Sequence, residues 1–193
     1  MAKANNSFRT PFSKDYWSLA FSEGKKTKML VIVSLFVALR IALSQFFIPI
    51  PGINGQRIYF SFFINALGSM IYGPILGIFA GMISDLISAL AMPTGPFFIG
   101  YTVTAMFSSF IYGLFLYKAK ISVQRIFFCK LTVNLISNVC LNSLWRSILT
   151  GVDFKAMAIL NLPKNIIMLP IETFLLFIFF KAITPALKKE NII

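Results

Sequence analysis

The sequence predicts an all-α integral membrane protein, a bundle of six transmembrane helices with both termini in the cytoplasm. Three observations carry this expectation. Of the 193 residues, 58% are hydrophobic and only 12% charged, and the mean hydropathy is +0.81. An average soluble domain is nearer half apolar and a quarter charged, so this composition would leave broad apolar patches in water and is equally foreign to a disordered chain. The apolar residues also run continuously, without the polar–apolar alternation of a membrane β-barrel. Finally, the length suits about six helical crossings of roughly 20 residues each, joined by short loops.

Residues 1–24 mix Phe8, Phe12, Tyr16, Trp17, Leu19 and Phe21 with Arg9, Lys14, Asp15 and Glu23. The charged part is too long for a secretory signal, and a small-residue cleavage site is missing. A short interfacial helix with its aromatics at headgroup level is the better expectation. The membrane domain follows over 25–185. Lys25, Lys26 and Lys28 lead into a first span at 29–48. The segment 49–57, with Pro49, Pro51, Gly52 and Gly55, cannot continue a helix in lipid. A second span covers 58–72, and Gly73-Pro74 reverses the chain into a third at 75–91. The loop 92–96 leads to a fourth span at 97–117. The basic stretch 118–125 precedes a fifth at 126–149, and a sixth covers 158–180. Residues 186–193 form a basic tail.

Orientation follows from charge. The net charge of +12 reads as topological rather than as a nucleic-acid footprint, because no basic patch alternates with aromatics outside the spans. With six spans, one side holds Lys3, Arg9, Lys14, Lys25, Lys26, Lys28, Lys118, Lys120, Arg125, Lys130, Lys181, Lys188 and Lys189, thirteen in all; the other holds Arg57 and Lys155. Cytoplasmic loops collect Lys and Arg, which puts both termini inside.

Ionisable residues within spans are costly and point to function or to pairing. Arg40 lies about 18 Å along the first helix, and Asp85 and Glu172 reach about 13–17 Å from the cytoplasmic side at 1.5 Å per residue. The three can meet at one level. Two roles stand open: a buried ion pair that neutralises the arginine, or an Arg40 that holds a ligand anion or proton. On the fifth span Asn134, Asn138, Asn142 and Trp145 share one helical face, bordered by Ser137 and Arg146; this reads as the polar wall of a ligand cavity, with interhelical hydrogen bonding as the alternative. Asn161, Lys164 and Asn165 repeat the pattern at the start of the sixth, where interhelical packing stands equally open. Ser34, Ala38 and Ala42 form a stripe of small residues along which another helix can approach closely. Ala38 and Arg40 are about 200° apart around the helix, so stripe and charge face opposite ways. Gly77 and Gly81 form a second small-residue pair.

The chain contains no histidine, which removes His metal ligands and His bases; no metal site is expected. Cys129 and Cys140, 11 residues apart on one helix, are separated by about 16 Å of rise, too far to bridge. No GxxxxGK[ST] phosphate loop is present, so ATP hydrolysis by that route is not expected. An intramembrane enzyme using Asp85 or Glu172 would need a second catalytic group, and a ligand-free scaffold remains a further alternative.

Longer blocks carry a resemblance. RIALS (40–44), IPIPG (48–52) and RIYFSF (57–62) are followed by YGPILGIFAGMISDLI (72–87), PTGPFFIGYTVTA (93–105), IYGLFLYK (111–118), LNSLWRSILTG (141–151) and KNIIMLPI (164–171). Together they resemble the substrate-binding S components of energy-coupling factor (ECF) vitamin transporters, over about residues 28–182, and most closely the folate-specific ones. Riboflavin, pantothenate and thiamine relatives share parts of the architecture. The resemblance implies a six-helix subunit of the ECF S-component type in the bacterial cell membrane, not an enzyme itself. It would bind folate or a related vitamin from outside and join a transmembrane coupling subunit (EcfT) and two cytoplasmic ATPase subunits (EcfA). Those partners would use ATP and Mg, with no cofactor in this chain. Ala38 and Ala42 match the family's AxxxA docking motif. The implied ligand site places a pterin on Trp145 with Phe98 or Tyr101, its polar edge on Asn138 and Asn142, and the glutamate tail toward Arg57, Arg146 or Lys164. Loops 49–57 and 93–96 would serve as lids. Arg146, directly after Trp145, and the aromatic N-terminal extension depart from the family pattern.

Overall fold

The computed structural model describes residues 11–49, 57–91 and 97–190. Helix α1 (Lys14–Glu23) opens with Ser13, whose hydroxyl accepts from the Tyr16 amide at 3.3 Å. Tyr16, Ala20 and Glu23 recur every turn and bury one face. The Tyr16 ring meets Tyr117 edge-on at 5.5 Å, and its hydroxyl donates to the Gly113 carbonyl at 2.9 Å. Burial pushes the Tyr16 phenol up from its ordinary pKa, so it stays a neutral donor. The expected short N-terminal helix is therefore present and docked on the bundle.

Helix α2 (Thr27–Ser44) buries Met29, Val33 and Val37 along one side. Ser34, Ala38 and Ala42 lie exposed along another. The helix stops at Ser44, short of the expected 48. Beyond it, β1 (Phe47–Pro49) and β2 (Arg57–Tyr59) form an antiparallel ribbon with Phe47 opposite Tyr59 and Pro49 opposite Arg57. The ribbon replaces the expected end of the first span and start of the second. Ladder hydrogen bonds satisfy backbone groups there that a proline-rich segment cannot satisfy by helix.

Helix α3 (Ser61–Ala91) is two helices meeting at Gly73, whose φ of 84° and ψ of −180° break the helical path. A Cβ placed on Gly77 would lie 3.4 Å from Ser69 Oγ. On a straight helix residues eight apart are about 12 Å apart, so the chain turns back here as expected. The stretches 61–72 and 74–91 are thus the second and third helices of the bundle. Helix α4 (Ile99–Leu116) packs against this turn so closely that a Cβ on Gly113 would run into Pro74.

Helix α5 (Val123–Val133) is capped by Ser122, which accepts from the Arg125 amide. It passes into a π-helical turn (Asn134–Leu141) and then α6 (Asn142–Thr150), which ends at the left-handed Gly151. Asp153 caps α7 (Phe154–Lys189) by accepting from the Lys155 and Ala156 amides. Helix α7 carries Pro163, Pro170 and Pro185 and runs past the expected end at 180 into the expected tail. At 1.5 Å per residue it is about 54 Å long, well over the ~30 Å of bilayer hydrocarbon.

Among the described residues, five helical stretches are long and apolar enough to cross a membrane: Thr27–Ser44, Ser61–Ala91, Ile99–Leu116, Val123–Thr150 and Phe154–Lys189. The reversal inside the second reconciles five stretches with six helices. A shared core of Val33, Met70, Ile71, Ile111, Ile126 and Leu176 joins them. Leu35, Phe79, Phe107, Ile148 and Phe174 point outward and exposed, one or more from each stretch. That is a surface made for hydrocarbon rather than water. Cys129 is buried and Cys140 exposed, both as free thiols.

The contact between α4 and the hairpin turn yields a test. Gly113→Ala should lower stability in detergent by about 1–3 kcal/mol, because Pro74 backbone cannot yield to the added methyl without strain. Gly151→Ala, where nothing lies within 4 Å of an added Cβ, should cost only the left-handed penalty of about 1–2 kcal/mol. Thermal unfolding followed by size-exclusion chromatography compares the two.

Candidate ligand-binding site

A cavity of about 780 Å³ lies at the ribbon end of the bundle, away from the Gly73–Pro74 turn. That volume is within the usual range for small-molecule sites. Helices α2, α3 and α4 form one wall; α5, the π-helical turn, α6 and α7 form the other.

On the first wall, Arg40 projects from the buried side of α2. Its Nη1 donates to Asn65 Oδ1 and to Ser109 Oγ, both at 3.0 Å, and Ser109 Oγ donates to Asn65 Oδ1 at 2.7 Å. No carboxylate lies within ion-pair distance of Arg40 among the described residues. The expected pairing of Arg40 with Asp85 or Glu172 is therefore corrected, and both carboxylates are held elsewhere. Asp85 Oδ2 accepts from Thr102 Oγ1 at 2.7 Å. Glu172 Oε2 pairs with Lys130 Nζ at 2.8 Å.

Lys130 is itself a correction. It counts with the basic loop by sequence position, but α5 begins at Val123 and carries residue 130 two turns inward. Its side chain is 3% exposed, and its ammonium lies 4.9 Å from the centre of the Phe62 ring. The ion pair closes the cavity floor with Tyr112 beside it. Removing Lys130 from the charge count leaves twelve basic residues on the expected inner side and does not change its sign.

The second wall is built from amides. Asn134 turns away from the cavity and donates to the Asn165 carbonyl at 3.3 Å; Asn138 donates to Asn134 Oδ1 at 3.1 Å. Asn161 donates to Ser143 Oγ at 2.7 Å, and Asn165 to the Asn161 carbonyl at 2.8 Å. The π-helical turn shifts the phase of the expected straight Asn stripe. Asn138 and Asn142 line the cavity, whereas Asn134 ties the span to α7.

Aromatic residues close one side. Phe98 and Tyr101 line the cavity with ring centres 6.1 Å apart. Trp145 stands behind them, its ring 5.7 Å from Phe98 and its Nε1 donating to Thr104 Oγ1 at 2.9 Å. Gly100 makes this possible, since a Cβ there would run into both Phe98 and Trp145. Arg146 and Lys164 line the cavity from α6 and α7. Arg57 sits on β2, but its side chain lies outside the described residues, as does most of the expected lid segments 49–57 and 93–96.

The structure thus brings together Arg40, Asp85, Phe98, Tyr101, Asn138, Asn142, Arg146, Lys164 and Glu172 around one space. It adds Asn65, Lys130 and Tyr112, which the sequence reading passed over. Two carboxylates against four cations line the cavity, so the site favours an anionic guest carrying a flat, hydrogen-bonding body. No group of three His, Cys, Asp or Glu that could hold a metal ion is found among the described residues.

Comparison with known proteins gives the same direction. Residues 28–184 match the family model described as ECF transporter, substrate-specific component. Folate transporter FolT of Clostridium novyi (strain NT) is 32% identical over 154 residues, 79% of this chain and 88% of that protein. Folate transporter FolT of Leuconostoc mesenteroides subsp. mesenteroides is 34% identical over 152 residues, 76% of this chain and 80% of that protein. A crystal structure of FolT bound with folic acid superposes with a TM-score of 0.71 at 28% identity, covering 79% of this chain and 92% of that one. Helix α1 precedes the matched residues.

The floor of the cavity supplies a prediction. Lys130→Met should destabilise the protein by about 3–5 kcal/mol, because Glu172 would remain as an uncompensated buried charge. Lys130→Met combined with Glu172→Gln should recover most of the loss. Melting temperatures in detergent without ligand measure both; equal loss in the single and double variants would show that the charge pair is not what holds the floor.

Proposed function

The chain belongs to the ECF transporter substrate-specific components, and from that premise we propose that it captures folate and delivers it inward as the binding subunit of an ATP-driven importer. The single observation that carries the reading is the cavity: an aromatic and amide-lined space whose wall holds more cations than carboxylates. Folate is a flat pterin joined through an aminobenzoyl group to a dianionic glutamate. The pterin lies against Phe98 and Tyr101, with Trp145 bracing Phe98 from behind. Asn138 and Asn142 face the ring and linker. The glutamate points toward the mouth, where Arg146 and Lys164 offer charge-assisted hydrogen bonds.

The excess of Lys and Arg at the end bearing the Gly73–Pro74 turn supports a bacterial cell-membrane orientation with both termini cytoplasmic and the cavity outward. Folate release then needs partners. A coupling subunit of the EcfT kind docks along the exposed Ala38 and Ala42 stripe, and two ATPase subunits of the EcfA kind use ATP and Mg. This chain contributes no cofactor of its own.

Mass spectrometry of small molecules co-purified with the detergent-solubilised protein tests the ligand, and should detect a folate. Recovery of riboflavin or pantothenate, with no heat on titrating folic acid, would overturn the assignment. By isothermal titration, Trp145→Ala should weaken folic acid binding by about 0.5–1.5 kcal/mol through lost aromatic packing. Asn142→Leu should cost about 1–3 kcal/mol by leaving a polar group of the ligand unpaired. Docking is tested separately. Ala38→Trp or Ala42→Trp should leave folic acid affinity of the isolated subunit unchanged while uptake by proteoliposomes of the whole complex collapses. Normal uptake in both variants would move the docking surface to another helix.

A further inference from the structure

Arg40 and Asp85 are charged groups on the cavity wall, each anchored through one side of its head group while the other side is unused. Both hydrogen bonds of Arg40 leave from Nη1, and Nη2 has no partner among the described residues. Asp85 accepts from Thr102 through Oδ2, and Oδ1 has no partner among them. The Lys130–Glu172 pair, by contrast, is closed at 2.8 Å. Asn138 already spends an amide hydrogen on Asn134.

The two charges are near each other without touching. Ser109 Oγ, which accepts from Arg40, would come 2.9 Å from a Cβ on Gly81. Asp85 lies one turn further along the same helix, about 5–6 Å toward the mouth. A guanidinium and a carboxylate thus stand about a turn apart on one wall, each with an unused atom and neither neutralising the other. Such an arrangement is costly in a low-dielectric bundle unless a guest joins the two.

We propose that Arg40 and Asp85 together read the pyrimidinone edge of a pterin. That edge presents an acceptor and then two donors: the 4-oxo group, N3–H and the 2-amino group. Arg40 donates through Nη2 to the 4-oxo oxygen. Asp85 Oδ1 accepts from the N3–H and 2-amino side. The anchor network sets the order, since Asn65 and Ser109 fix the guanidinium and Thr102 fixes the carboxylate. Asn138 and Asn142, on the facing wall, are left for the opposite ring nitrogens and the linker. The inference rests on the folate reading and adds a specificity to it. A 4-amino pteridine places a donor where Arg40 donates and loses the N3–H that Asp85 accepts, so the same pair selects against it.

Isothermal titration of the intact subunit with folic acid and with its 4-amino analogue aminopterin, which share the glutamate tail, provides the test. Wild type should prefer folic acid by about tenfold or more. Arg40→Met should weaken folic acid by about tenfold or more and bring the two ligands to near-equal affinity. Arg40→Lys, which keeps a cationic donor, should retain a preference for folic acid. Asp85→Asn should weaken folic acid by at least about tenfold. Comparing two ligands on each preparation makes the ratio independent of any fraction that fails to fold. An Arg40→Met protein with the wild-type ratio, or an Asp85→Asn protein with wild-type folic acid affinity, overturns the edge assignment alone. A wild-type subunit that binds neither ligand overturns the folate reading and the assignment with it.

Discussion

A guanidinium inside a membrane bundle must be solvated by the protein itself, and Arg40 meets that constraint by joining three helices. Asn65 comes from the first half of α3 and Ser109 from α4, and both accept from one nitrogen of Arg40 on α2. The network requires α4 and the second half of α3 to lie almost backbone to backbone. Gly81, whose missing Cβ would meet the Ala105 carbonyl and Ser109 Oγ, allows that approach. Gly113 against Pro74 repeats it at the turn. The close packing of the first wall and the placement of its charge are therefore one arrangement. Relaxing a glycine contact would move Ser109 and release the arginine.

The second wall is organised by neutral groups instead. Each amide that faces α7 or α6 is paired, through Asn134 with the Asn165 carbonyl and Asn161 with Ser143. Pairing of this kind is what lets a helix carry several asparagines through hydrocarbon. The π-helical turn is where the pattern changes phase. One residue type, Asn, is divided by it between a structural seam and a cavity wall.

Much of this was legible in the sequence, because hydrocarbon enforces simple rules. The reversal at Gly73-Pro74 and the helix restart after 92–96 follow from proline, glycine and apolar run length. So does the opposition of Ala38 and Arg40. The last helix, by contrast, starts at Phe154, inside the stretch 150–155 expected as a loop. Partner choice inside the bundle was not legible. Arg40, Asp85 and Glu172 share a level, but level alone cannot tell that Lys130 enters the bundle and claims Glu172. The signal was present: Cys129, Leu131 and Val133 flank Lys130 with apolar residues, which marks it as part of the helix rather than of the loop. The π-helical turn left no comparable trace, because Asn134–Leu141 has the composition of an ordinary helix. Trp145 was read as a ligand-stacking ring from its position. The absent side chain at Gly100 is what sets it behind Phe98 instead, and that is visible only once α4 and α6 are brought together.

Basic residues do two different jobs here, and burial separates them. Lys25, Lys26 and Lys28 at the start of α2 are exposed, where a strongly hydrated ammonium costs little and biases topology. Arg40 and Lys130 lie inside, where the same charge is tolerable only with fixed dipoles or a carboxylate beside it. Lys130 takes the carboxylate and becomes part of the floor. Arg40 takes only neutral oxygens, so its positive field is not cancelled by a partner at contact distance. With Arg146 and Lys164 nearer the mouth, that field runs the depth of the cavity and favours a guest that brings negative charge or an oxygen acceptor. Asp85 then limits which guest, because an entirely anionic one would meet it as a like charge. A ligand with a neutral donor–acceptor head and an anionic tail satisfies both conditions.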